Sequence, residues 1–136
     1  MNAVEIEQAI SDLALEPFEP AEFPYAFLAA FGHKETTLKR LRSGNSNTSD
    51  LPGTVLLRNH IHLAVCASEK VGETLQALRA SPATTKAKAR FILATDGQTL
   101  EAEELASGDT IAPAYADFPN HLGFFLPLAG ITTIKE

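Results

Sequence analysis

The sequence predicts an α/β (α+β) domain, with a small mixed sheet and flanking helices. Apolar residues recur at helical spacing near the amino terminus, whereas they alternate with a period of two in the middle of the chain. A later apolar run ends in an Asp-Gly pair, a strong hairpin turn signal. With 136 residues, of which 45% are hydrophobic, the chain has the size and apolar content of one folded domain over residues 1–136.

Two helices are predicted first. Residues 2–15 form an amphipathic pattern with an acidic outer face, and Pro17 and Pro20 end it. The second helix runs from Pro24, which suits a first helical turn, to Gly32, which suits a carboxyl-terminal stop. Its aromatic and aliphatic residues form an apolar stripe, so this helix is expected to pack deeply in the core.

A short third helix is predicted over Leu38–Arg42, with Gly44 closing it and a polar loop over residues 43–50 following. Next, Thr54–Arg58 and His60–Cys66 predict either a hairpin or one bent strand. The remaining elements are a helix from Ser68 to about Ala80, a strand over Arg90–Thr95, a turn at Asp96-Gly97, a returning strand over 98–105, and a last helix starting near Asp117.

Charge and cysteine content narrow the functional classes. The net charge of −6 argues against a domain whose whole surface binds nucleic acid. The single Cys66 cannot form an internal disulfide, which is typical of the reducing cytoplasm. No apolar run approaches the roughly 20 residues of a membrane helix. A cytoplasmic protein with no membrane partner is therefore expected.

Metal chemistry has only weak candidates. His60 and His62 are predicted on one strand face, with Asp50 as the nearest carboxylate. The alternative interpretation is that the two histidines are partly exposed strand residues. Because Thr54–Cys66 contains no carboxylate at all, the sequence argues against a metal-dependent enzyme.

The third helix carries the best binding signal. Its cationic side chains and the amide donors that follow suit phosphate oxygens, and the alternative is a solvated helix face. The candidate DNA-binding residues are Lys34, Lys39, Arg40, Arg42, Asn45 and Asn47. Lys86, Lys88 and Arg90 either extend this positive surface or form a solvated strand edge.

Several segments together resemble a known family. They are Phe27-Leu-Ala-Ala-Phe-Gly32, Asp50-Leu-Pro-Gly53 leading into Val55-Leu-Leu57, Phe91-Ile-Leu-Ala-Thr-Asp96 and Phe124-Phe-Leu-Pro-Leu-Ala-Gly130. In this order they resemble the N-terminal domain of MmeI-like type IIL restriction–modification DNA methyltransferases. The resemblance implies a core like that of PD-(D/E)xK restriction endonucleases. It also implies an N-terminal fragment, with a natural small protein as the alternative.

For the parent protein, the resemblance implies methyl transfer from S-adenosylmethionine to a DNA base, typically adenine N6. A helical spacer and methyltransferase domains would follow downstream, and no cofactor is expected in this fragment. Two carboxylates hold Mg²⁺ in such nucleases. Asp50 stands at the first carboxylate, but the Glu and Lys positions fall near Arg58 and His60. The resemblance therefore implies a nuclease-like scaffold without cleavage chemistry, attached to a methyltransferase, and with the basic third helix this predicts a non-catalytic accessory or DNA-contacting domain.

Two other functions stay open at this point. One is an active Mg²⁺-dependent endonuclease with a displaced site built from Asp50, His60 and His62. The other is a structural or protein-interaction module that docks through the apolar segment 122–131.

Overall fold

The computed structural model describes residues 2–44, 47–51 and 53–129. Its α-helices are α1 (Ala3–Leu15), α2 (Phe23–Ala30), α3 (Glu35–Ser43), α4 (Val71–Ala80), α5 (Pro82–Lys86) and α6 (Leu122–Phe125). Its strands are β1 (Thr54–Leu57), β2 (Ile61–Val65), β3 (Phe91–Thr95), β4 (Leu100–Glu104) and β5 (Thr110–Ile111). Two 3₁₀ segments, Tyr115–His121 and Leu126–Ala129, flank α6. The predicted α/β fold is confirmed.

The strands form one mixed sheet in the order β1-β2-β3-β4-β5. Strands β2 and β3 are parallel, with Ile61 opposite Phe91, and the other neighbouring pairs are antiparallel. A parallel pair needs a long crossover connection, and α4 and α5 supply it here. The β1–β2 connection is a hairpin, which settles the choice between a hairpin and one bent strand.

Apolar side chains are buried against both faces of the sheet. On the first face, Val55, Leu63 and Phe91 are buried together with residues of α1, α2, α3 and α6. On the second face, Ala64 and Ile92 pack against α4, and Leu56 packs against the end of α5. Because side chains alternate along a strand, α3 and α5 lie on opposite faces of the sheet.

Local sequence signals explain where several helices begin and end. The Asn2 side chain and the Glu5 side chain form a capping box at the start of α1. Pro24 lies in the first turn of α2, and Gly32 follows that helix with a positive φ of 91°. Gly44 ends α3 with a φ of 88°. These three predicted helices are confirmed, with α3 beginning three residues earlier than expected.

The second half departs from prediction in detail. Ser68 does not cap α4, which starts at Val71 after Lys70 and without a side-chain cap. The Pro82 region forms the short helix α5, which the sequence did not predict, and Pro is tolerated there because it lies in the first turn. The short β5 was not predicted at all. Among the described residues, no helix combines the length and apolar character needed to cross a bilayer.

Candidate nucleic-acid interface

The outer surface of α3 carries cations that solvent can reach. Lys34 precedes the first turn of the helix, and Lys39 and Arg40 follow on it as exposed residues. Leu41 is buried in the core cluster of the first sheet face, so it anchors the helix with its charged residues turned outward. Because α3 is amphipathic in this way, at least these three cations are presented together on one element.

Arg42 is engaged differently from the other cations of α3. Its guanidinium donates two hydrogen bonds to the Glu22 carboxylate, at 3.0 and 2.6 Å. It also lies over the ring of Tyr25, 4.1 Å from the ring centroid. The hydrogen bonds from Arg42 lower the pKa of the Glu22 carboxyl. Arg42 therefore links α3 to α2, and its charge is paired with that of Glu22.

A cleft of about 470 Å³ lies between α2 and α3. Its lining combines an apolar floor with charges of both signs. The lining residues are Glu22, Tyr25, Ala26, Ala29, His33, Glu35, Leu38, Lys39 and Arg42. Lys39 belongs both to this cleft and to the exposed surface of α3, so the cationic surface adjoins a cleft that also carries the acids Glu22 and Glu35.

Asn47 has a structural position. Its side-chain amide donates to the Thr54 carbonyl at 2.9 Å, and its side-chain oxygen accepts from the Leu56 N–H at 2.9 Å. The Thr48 N–H bonds the Leu56 carbonyl as well. Asn47 thus satisfies backbone hydrogen-bonding groups on the free edge of β1, and both the nitrogen and the oxygen of its amide are engaged there. Asn45, the other amide candidate, lies outside the described residues.

Asp50 also has protein partners. Its carboxylate accepts a hydrogen bond of 2.5 Å from the Ser81 hydroxyl and another from the Ala83 backbone. The Ser81 hydrogen bond is the main reason that the pKa of the Asp50 carboxyl is lowered. Ser81 and Ala83 belong to the start of α5, so Asp50 caps that helix from a distant loop.

His62 is completely buried, so the expectation that both strand histidines are partly exposed is wrong for this residue. Its Nδ1 lies 2.8 Å from the Thr84 hydroxyl, which itself donates to the Leu78 carbonyl. Nδ1 must therefore carry the proton, and Nε2 accepts the 2.7 Å bond from the Ser49 hydroxyl. Burial lowers the pKa of His62, which favours this neutral form.

His60 and Arg58 lie in the hairpin turn after β1 ends at Leu57. His60 is half-buried, and its Nδ1 donates to the Arg58 carbonyl at 2.9 Å. Its ring packs edge-on against His33, with the ring centroids 4.8 Å apart. Arg58 is exposed. The two positions that would match Glu-x-Lys therefore lie off the strand.

These positions do not form an evident metal centre. The described ranges contain no group of three or more His, Cys, Asp or Glu side chains that could hold a metal ion. Both ring nitrogens of His62 already have hydroxyl partners, and Asp50 is directed at α5. A metal at His62 would have to displace Ser49 or Thr84 from a buried network, which is costly.

Sequence reasoning missed the partners of these residues. Glu22 and Tyr25, which contact Arg42, lie at the start of α2, whereas Arg42 lies in α3. No local sequence pattern indicates this pairing. Ser49 and Thr84, which hold His62, come from a loop and from α5. Long-range polar pairs of this kind depend on the tertiary fold.

Comparisons with known proteins identify the family of this chain. Residues 1–136 match the family described as "MmeI, N-terminal domain". The chain is 23% identical over 135 residues to DNA methyltransferase A of Bacillus subtilis (strain 168), covering 99% of this chain and 15% of that protein. The chain thus spans a small part of that relative. No solved structure matches. Since the family match extends over the full sequence, this chain belongs to the MmeI N-terminal domain family.

Proposed function

We propose that this chain is a non-catalytic, nuclease-like N-terminal domain that contacts DNA within a bacterial DNA (adenine) methyltransferase of restriction–modification type. One observation carries the proposal: Lys39 and Arg40 are exposed together on α3, in a chain of the MmeI N-terminal domain family that is similar to part of a DNA methyltransferase. Cationic side chains on a helix surface suit the phosphates of a duplex, which set affinity and orientation more than sequence preference.

The non-catalytic part of the proposal is supported by the nuclease positions. Magnesium-dependent cleavage needs at least two oxygen ligands that converge on the scissile phosphate. Asp50 is engaged at the start of α5, and Arg58 and His60 offer no carboxylate. A scaffold that keeps the shape of a nuclease domain while lacking its acids would serve to bind or position DNA.

The chemistry of the whole protein would belong to other parts of it. S-adenosylmethionine would bind in methyltransferase domains that follow a helical spacer, and the present domain would hold the duplex beside them in the cytoplasm. The chain covers 15% of the length of the Bacillus subtilis relative, which leaves ample length in a protein of that size for such domains.

The test is duplex binding by the protein as a function of salt. Lys39→Glu and the double variant Lys39→Glu/Arg40→Glu are compared with Lys70→Glu, an exposed cation at the start of α4. Loss of a phosphate contact lowers affinity and reduces the slope of log affinity against log salt by about one. We expect the slope to fall by about one for Lys39→Glu and by about two for the double variant, and to stay unchanged for Lys70→Glu.

Equal behaviour of the Lys39 and Lys70 variants would remove α3 from the interface. Binding that does not weaken with salt would contradict phosphate recognition altogether, because counterion release makes such binding salt-dependent. Thermal unfolding of each variant serves as the folding control, since exposed charge changes of this kind alter stability little.

A further inference from the structure

A cleft lined by two cationic residues lies on the face of the sheet opposite α3. It has a volume of about 190 Å³ and is lined by Thr48, Arg58, Ala83, Lys86 and Ala87. Thr48, Arg58 and Lys86 are exposed, whereas Ala87 is buried and forms an apolar base. The cleft therefore combines a guanidinium, an ammonium and a hydroxyl above a small apolar floor.

A backbone contact joins the two segments that carry Arg58 and Lys86. The Asn59 N–H in the hairpin turn donates to the Ala87 carbonyl at the end of α5, at 2.8 Å. Asn59 has a positive φ of 68°, a conformation that Asn tolerates better than most residues. Arg58 precedes this contact and Lys86 precedes Ala87, so the hydrogen bond joins the two elements that carry them.

The end of α5 is built to keep this geometry. The Lys88 N–H bonds the Thr85 carbonyl and the Ala89 N–H bonds the Thr84 carbonyl, each at 3.1 Å. With Lys88 at a φ of 56°, these two bonds form a Schellman motif. Glycine is usual at that left-handed position, so a lysine is held there against a conformational cost of about 1 kcal/mol.

The two cations of the cleft take no part in the salt bridges of the described residues. In the part of the chain that the structure describes, the salt bridges are made by Arg42, Lys70, Arg79 and Arg90. Asp50 is an acid near the cleft, and its carboxylate accepts hydrogen bonds from Ser81 and from the backbone of Ala83, which lines the cleft. These bonds place the carboxylate at the start of α5, whereas Lys86 is the last residue of that helix.

We propose that this cleft binds a phosphate of the nucleic-acid backbone, as a second contact on the sheet face opposite α3. Arg58 presents two or more N–H donors to phosphate oxygens, and Lys86 adds a point charge. Arg58 stands where a nuclease of the resembling type has a metal-binding acid, so phosphate recognition here needs no metal. This proposal rests on the proposed DNA-contacting function but uses residues outside α3.

The experiment measures duplex affinity at several salt concentrations for the protein and for Arg58→Gln/Lys86→Gln. The matched control is Lys70→Gln/Arg79→Gln, which removes the same two residue types from α4. We expect the cleft variant to bind more weakly and its salt slope to fall by about two, with the control unchanged. An unchanged slope in the cleft variant would overturn the proposal.

Two further arms separate the sources of phosphate and the two surfaces. Inorganic phosphate is titrated into the protein without DNA. If it binds through Arg58 and Lys86 while the duplex slope of the variant stays at the wild-type value, the site takes free phosphate and the proposal fails. If Lys39→Glu has no effect but the cleft variant does, the α3 interface fails and the second contact stands.

A single substitution separates the loss of a phosphate contact from an effect on folding. Lys86→Gln changes an exposed residue of α5 and leaves the Asn59–Ala87 hydrogen bond in place. It is expected to lower the salt slope by about one with an unchanged thermal midpoint. No loss of slope in this folded variant would also overturn the proposal.

Discussion

The Ser49 hydroxyl donates a 2.7 Å hydrogen bond to Nε2 of the buried His62 and so ties the loop before β1 to the interior of the sheet. The Leu51 N–H donates to the same Ser49 oxygen at 3.1 Å. With Thr84 on the other ring nitrogen, the histidine has a partner at each nitrogen atom. His62, which the sequence offered as a weak metal ligand, therefore has a structural role in this hydrogen-bond network.

Ser49→Ala is expected to destabilise the protein by about 1 kcal/mol, because it removes the nearer hydroxyl partner of the buried His62 Nε2 and leaves the Thr54 hydroxyl at 3.3 Å. Urea unfolding at neutral pH measures the change. Ser68→Ala, at an exposed position before α4, is the control and should cost little. Equal stability of the two variants would mean that the Ser49–His62 bond contributes nothing net to folding.

Stability is expected to fall as the pH drops below about 6.5, the ordinary pKa of histidine. Burial lowers the pKa of His62 and of His33 in the folded protein. The unfolded chain then binds more protons between the folded and unfolded pKa values, so acid favours unfolding. Chemical unfolding at about pH 8 and about pH 5.5, which lie on either side of the ordinary histidine pKa, measures the effect.

His62→Gln checks the assignment, since it should reduce this pH dependence. A histidine whose folded pKa was raised would give the opposite sign, with stability lost as pH rises. A flat profile between the two pH values would show that neither histidine is held in its neutral form by the fold.

Asp50→Ala is expected to lower the thermal midpoint, because α5 loses its distant cap at Ser81 and Ala83. Plasmid DNA incubated with Mg²⁺ or Mn²⁺ should stay intact with the wild-type protein and with the variant. Metal-dependent cleavage by the wild type that disappears in Asp50→Ala, without a change in midpoint, would instead support an endonuclease with a displaced site.

Glu22→Gln is expected to strengthen duplex binding at low salt. The change removes the carboxylate that holds Arg42 and leaves a further cation on α3. If Arg42 then gains one phosphate contact, the slope of log affinity against log salt becomes steeper by about one. Glu73→Gln on α4 is the control, because its partner Lys70 lies away from α3. A weaker duplex affinity in Glu22→Gln would mean that the link between α2 and α3 is itself needed for binding.

Gly97→Ala is expected to cost more stability than Gly108→Ala, although both glycines have a positive φ. The backbone term is about 1–2 kcal/mol in each case. At Gly97, an added Cβ would also lie 2.5 Å from the Phe18 ring, whereas nothing lies within 4 Å at Gly108. Thermal unfolding of both variants gives the comparison, and equal losses would show that Phe18 moves aside freely.

Sequence periodicity and turn chemistry were sufficient to predict most of this fold. The alternation in Ile61–Val65 and the Asp96-Gly97 turn identify strands because they depend on local geometry. The strand β5 escaped prediction because two residues are too few to show a period. Parallel pairing of β2 with β3 also could not be derived, because pairing depends on the path of α4 and α5 across one face of the sheet.

The candidate site was less accessible from sequence. The exposed cations of α3 could be identified because a basic helix face is a local pattern. Nothing local indicated that Glu22 holds Arg42 or that Asn47 bonds the backbone of β1. Their roles depend on which groups the fold brings within 3 Å, so charge patterning alone overestimated how many of these side chains remain available to a ligand.

The position of Asn47 has a consequence for self-association. An edge strand with unpaired N–H and carbonyl groups is a template on which another chain can add a strand. The Asn47 amide and the Thr48 N–H occupy the groups of Thr54 and Leu56 that would otherwise serve this purpose. The loop therefore occupies the edge of β1 in place of a further strand. This blocks the addition of another chain at β1, in a domain whose strands are rich in apolar residues.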